Sequence, residues 1–151
     1  MASLQILLGQ LAPWTTLVPP QAELGGRFSS KKDVFEPGGF RLTWVLDPAD
    51  ERVLGRLEYV FRESSLEAVA ERFTAAAARL GIDVSREIDD VLAKARALPG
   101  DRTELSLADR LMTTLLARDE WRGFVKVYAE DDLWMNELCL FRPAFRAARD
   151  S

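Results

Sequence analysis

The chain of 151 residues contains no histidine and a single cysteine, Cys139. Without imidazole there is no Ser-His-Asp or Cys-His relay, no side chain whose ordinary pKa suits proton transfer near neutrality, and no histidine-ligated metal. One thiol cannot form an internal disulfide, a paired-thiol redox centre or a zinc ribbon. Catalysis would have to rely on carboxylates, Lys, Arg, Tyr, Ser and Thr. No catalytic residue, metal ligand or cofactor is therefore expected.

No run approaches the roughly 18 apolar residues that suggest a membrane span. Residues 1–13 lack a basic start and carry only a brief apolar patch, Leu4, Ile6, Leu7 and Leu8, so they do not read as a secretory signal. No membrane role is expected, and a lone thiol fits a reducing, cytoplasmic setting. With 20 Lys and Arg against 24 Asp and Glu, the net charge is −4. That disfavours nucleic acid as a partner, since duplex binders usually carry a basic excess or stripe. Hydrophobic residues make up 48% and charged residues 29%, as in ordinary globular domains. A chain this long buries roughly 70% of its unfolded surface and needs no staple.

Residues 1–39 read as a loop-rich segment, punctuated by Pro13, Pro19-Pro20, Gly25-Gly26 and Glu36-Pro37-Gly38-Gly39, with one strand-like stretch at 3–8. Residues 40–151 read as a single α+β domain. Phe40, Leu42, Trp44 and Leu46 alternate with polar or smaller residues. After Asp47-Pro48-Ala49-Asp50, so do Val53, Leu57, Tyr59 and Phe61, which predicts a hairpin over about 40–62, with Gly55 marking a bulge or a place where another group packs closely. Ser64 and Glu67 form a capping-box pattern, and Leu66, Val69, Ala70, Phe73, Ala77 and Leu80 form a helical stripe over about 65–80. Ile88, Val91, Leu92, Ala95 and Leu98 predict a second helix over about 85–98, ended by Pro99-Gly100. Leu107, Leu111 and Leu115, flanked by Met112 and Leu116, predict a third over about 107–117, capped by Ser106. A short strand at 103–107 competes with its start.

The last quarter predicts a second hairpin over about 121–141, turning at Glu130-Asp131-Asp132, with a helix from 131 onward as the competing reading. The expected fold is thus an antiparallel sheet of two hairpins packed on three consecutive helices. Its expected core is Phe40, Leu42, Trp44, Val53, Leu57, Tyr59, Phe61, Leu66, Val69, Phe73, Ile88, Leu92, Leu111 and Leu115.

Chemistry-bearing motifs are few. Arg27, Ser29, Ser30, Lys31 and Lys32 follow Gly25-Gly26 in a connection, 25–39, without clear periodicity. They offer a phosphate or ligand loop, but not the order a P-loop requires, and a mobile surface loop explains them better. Ser64-Ser65 lacks a nucleophile elbow, and Asp89-Asp90 point about 100° apart on a helix. The acidic turn lacks calcium-loop spacing. Apolar groups on both faces of 133–141 suggest a surface for a partner: Trp134, Met135, Leu138 and Phe141 with Arg142, and Trp14 as a further anchor.

The inventory favours a non-enzymatic protein-binding module of adaptor, secretion-chaperone or inhibitor/immunity type, binding another protein or itself as a homodimer. The alternative is a small enzyme or ligand-binding domain using Glu58, Tyr59, Arg62, Lys126, Tyr128 and Glu137 on an open sheet face. A nucleic-acid accessory role through Arg27, Lys31, Lys32, Arg142, Arg146 and Arg149 ranks third.

Overall fold

A computed structural model of the chain describes residues 25–29, 34–47, 50–80, 83–118 and 121–141. Its elements in chain order are β1 (Gly25–Ser29), β2 (Phe40–Asp47), β3 (Asp50–Glu63), α1 (Leu66–Leu80), α2 (Ser85–Arg96), a 3₁₀ turn (Ala108–Arg110), β4 (Leu111–Arg118), β5 (Trp121–Ala129) and β6 (Trp134–Phe141). The strands form one antiparallel sheet in the order β1-β2-β3-β6-β5-β4. Two three-stranded meanders therefore meet at the β3–β6 pair, and the two helices carry the chain from the centre of the sheet to its β4 edge.

Alternation decides which side chains meet the helices, because successive strand residues point to opposite faces. Leu57, Tyr59 and Phe61 of β3 lie opposite Leu140, Leu138 and Asn136 of β6, and all six are buried. Val125, Val127 and Ala129 of β5, then Met112 and Leu116 of β4, extend the same face. Helix α1 packs over β3 and β6, and α2 over β4 and β5. Each large side chain so buried stabilises by roughly 1.5–3 kcal/mol. Phe61 and Phe73 meet edge to face at 5.0 Å, and Tyr59 lies tilted against Phe61 at 5.2 Å and edge to face with Phe40 at 6.1 Å.

Local chemistry fixes the elements. Helix α1 starts one residue later than the capping-box pattern suggests: Ser65 Oγ accepts from the Ala68 amide at 3.2 Å. Before α2, Asp83 Oδ1 accepts from the Ser85 amide and hydroxyl at 3.1 and 2.7 Å. Glu36-Pro37-Gly38-Gly39 is a β-turn closed by the Gly39 amide on Glu36 O at 2.9 Å. Gly38 has φ 84°, which a side chain would disfavour. Arg72 of α1 locks this turn to the sheet, donating to Gly38 O at 3.1 Å and Tyr59 Oη at 2.9 Å and pairing with Glu63 at 3.0 Å. The β2–β3 register steps from Val45↔Arg56 to Leu46↔Leu54, so Gly55 is the bulged residue.

The expectation of three helices on two hairpins is overturned. There are two α-helices among the described residues, and strands dominate. Residues 111–118 form β4, not a helix. Leu107, Leu111 and Leu115 are four apart, and that spacing puts residues on one side of a helix and also of a strand. The Thr113-Thr114 pair favours extended backbone. Ser106 does act as a cap, its Oγ accepting from the Asp109 amide at 3.2 Å, but what it caps is only the three-residue 3₁₀ turn. As a consequence Leu111 and Leu115, expected in the core, are 46% and 80% exposed, while Met112 and Leu116 are buried. Residues 25–29, read as part of a loop, pair with β2 as an edge strand. The competing readings of 103–107 as a strand and of 131–141 as a helix also fall: the first is turns, the second holds strand β6. Leu66 is half-buried against the core. The side chains of Trp44 and Val53, and the strand-like stretch 3–8, lie outside what is described.

Candidate functional site: the open sheet face and the β4 edge

The face opposite the helices differs in chemistry from centre to edge. At its centre the register sets Glu58 opposite Cys139, Val60 opposite Glu137 and Arg62 opposite Met135. Next to them Lys126 lies opposite Glu137, Phe124 opposite Cys139 and Tyr128 opposite Met135. Arg56 pairs with Glu58 along the same strand. Lys126 Nζ is 4.0 Å from Glu137 and 5.7 Å from the Phe124 ring centre. Arg62 pairs with Glu130 at 3.0 Å and donates to Phe35 O at 3.2 Å.

Burial works against charge here. It raises the Glu137 carboxyl above the ordinary glutamate range, with Lys126 opposing and Glu58 reinforcing the shift. It pushes the Cys139 thiol up to about 12, against the pull of the nearby Arg56 guanidinium. The thiol is 1% exposed and so is a packed, inert group.

Toward the edge the charges give out. Leu111 and Leu115 of β4 lie opposite Tyr128 and Phe124 of β5 with Thr113 between them, and both project from the open face. From Leu111 to Ala117 the strand carries no charge and no proline, and its pairing with β5 runs without a shift. Its start is fixed by Arg110, which donates to Leu105 O at 3.2 Å, Ala129 O at 3.3 Å and Asp131 Oδ1 at 2.9 Å, and also to Arg102 O. Arg102 stacks at 4.2 Å over the Trp134 ring. Thr114 donates to Asp90 of α2 at 2.6 Å, which holds the Asp90 carboxyl below its usual value and ties the strand to the helix layer.

The residues singled out in the sequence separate on these faces. Trp134 and Leu138 turn toward the helices and are buried, whereas Met135 and Phe141 lie half-buried on the open face. Arg142 and Trp14 lie outside the described residues, as do Ser30, Lys31 and Lys32. Arg27 and Ser29 fall in β1. Of the enzyme-type candidates, Glu58, Arg62, Lys126, Tyr128 and Glu137 share the open face, and Tyr59 lies on the other one, bonded to Arg72. Leu111 and Leu115 were missed because their segment reads as helix. The one signal that points to them is the Thr113-Thr114 pair, because Asp109, Arg110, Thr113 and Thr114 would also suit the outer face of a helix.

A cavity of about 230 Å³ lies away from this surface, between the end of α1 and the start of α2, lined by Thr74, Ala77, Ala78, Val84 and Ile88 among others. Among the described residues there is no cluster of three or more metal-binding side chains, and no helix long and apolar enough to cross a membrane. No family model matches the chain, and no curated protein or solved structure matches it.

Proposed function

We propose that this chain is a protein-binding module that works by association along the β4 edge and the apolar strip beside it. The observation carrying the reading is the 80% exposure of Leu115, with Leu111, on an edge strand free of charge from residue 111 to 117. Folded monomers ordinarily guard such edges with Lys, Pro, bulges or a covering segment, because the outer amides and carbonyls template strand addition. Adaptor, secretion-chaperone and inhibitor or immunity roles all fit a module of this kind. The ionic groups at the centre of the face are engaged with one another, Arg56 with Glu58, Arg62 with Glu130 and Lys126 with Glu137, which weighs against the small-ligand alternative.

The test is a Leu111→Lys, Leu115→Lys double variant. Both side chains are exposed, so folding stability should stay within roughly 0.5 kcal/mol of wild type. Concentration-dependent association in sedimentation, and retention of any specific host protein, should be abolished. Association at wild-type strength in a folded double variant refutes the reading.

A further inference from the structure

Resting on that reading, we infer that the partner at the β4 edge is a second copy of this chain, joined antiparallel about a twofold axis at Thr113. The spacing of the strand is self-complementary. Leu111 and Leu115 lie two residues on either side of Thr113 and project from the same face. A twofold perpendicular to the sheet keeps each face continuous, so residues pair only with residues of like parity. Any other register sets the helix-facing Met112 and Leu116 row against the open-face row.

Every axis centred on a residue satisfies that condition, and the axes differ in what they set opposite Leu111 and Leu115. An axis at Thr113 places Leu111 opposite Leu115 of the second copy, twice, so that both exposed leucines gain an apolar neighbour at cross-strand distance. An axis at Thr114 sets each leucine against threonine or alanine. An axis at Leu115 pairs that residue with itself but carries Leu111 beyond the end of β4. Within β4, apolar matching selects Thr113, the axis that sets Leu111 opposite Leu115. The product is one continuous sheet that joins two copies of the six described strands, with the described helices of both copies on one side.

Cysteine cross-linking reads the axis directly, because directly opposed residues have Cα atoms about 4.5–5.5 Å apart, inside the span of a disulfide. Native Cys139 is buried and stays silent. Thr113→Cys should form a covalent dimer under mild oxidation at concentrations where the wild type sediments as a dimer. Leu115→Cys should not, since its two copies would lie about 13 Å apart along the strands. Thermal unfolding of both variants under reducing conditions checks that each is folded. Cross-linking through Leu115→Cys in place of Thr113→Cys overturns the axis. A wild-type dimer that neither variant traps overturns the edge pairing as drawn. A wild type that stays monomeric to millimolar concentration overturns the second copy as partner. The broader association reading is judged separately, by whether the lysine double variant loses a host partner.

Discussion

Gly123 is where the sheet has least room, and its replacement by alanine measures how closely β5 and β6 are packed. Gly123 lies opposite Leu140, and a β-carbon built on it would stand 1.8 Å from Cys139 O, 2.8 Å from Cys139 C and 3.1 Å from Leu140 Cα. All three are main-chain atoms of a paired strand, so no side-chain rotation relieves the contact. The strands would have to part locally by more than an ångström. Overpacking of this kind typically costs about 1–3 kcal/mol, and each ladder hydrogen bond lost adds about 0.5–1.5 kcal/mol. Gly123→Ala should therefore destabilise by roughly 2–4 kcal/mol on those two scales. Gly100→Ala is the control, because a β-carbon there meets nothing within 4 Å and no positive φ stands in its way. That change should be neutral or stabilise by up to about 1 kcal/mol by restricting the unfolded chain. The assay is urea unfolding followed by tryptophan fluorescence and far-UV circular dichroism, comparing midpoints at equal slope. Equal midpoints for the two alanine variants would refute the close approach of β5 to β6, and with it the central register of the sheet.

Two titration-linked outcomes follow from the open face. Cys139, with its thiol pushed up to about 12 by burial, should resist alkylation in the native state and react at once in denaturant. Rapid native labelling at neutral pH would show the thiol to be accessible. Glu137 has a folded-state pKa above its unfolded one, so the folded state holds the extra proton, and its contribution is most favourable at low pH. It is lost as pH climbs from the ordinary glutamate range through the raised folded value. Glu137→Gln removes that loss, so the stability of the variant relative to wild type should grow between pH 4 and pH 7. A relative stability that shrinks over that interval would mean that the Lys126 pair, not burial, governs this carboxyl.

Much of the architecture follows from periodicity alone. Phe40, Leu42, Leu57, Tyr59 and Phe61 alternate at period two and do line the helix side of β2 and β3. The stripes through Val69 and Phe73, and through Ile88, Val91, Leu92 and Ala95, do face the sheet. Gly55 could be read as a bulge from its place inside a strand pattern. What failed was β4, where a four-residue leucine spacing suits both periods and Ser106 supplied a genuine cap to a turn too short to be a helix. β1 was hidden by Gly25-Gly26, which read as a break although glycines can also sit in an edge strand.

The candidate site shows the same division. Alternation was enough to bring Glu58, Arg62, Lys126, Tyr128 and Glu137 to one face, and parity was enough to separate Met135 and Phe141 from Trp134 and Leu138. Which face the helices cover is a tertiary fact, and so is the outward position of Leu111 and Leu115. Only the strand order, with β4 outermost, turns two unremarkable leucines into a docking edge.

Amide hydrogen exchange along residues 107–118, followed across a wide dilution series, tests most directly whether this segment is an edge strand whose outer side receives a partner. In dilute protein, alternate amides of residues 111–115 should be protected by β5 and the intervening ones should exchange freely. At high concentration the free set should become protected, while β5 and β6 amides stay protected throughout. Uninterrupted protection of residues 107–117 at every concentration, as a helix would give, would contradict the account.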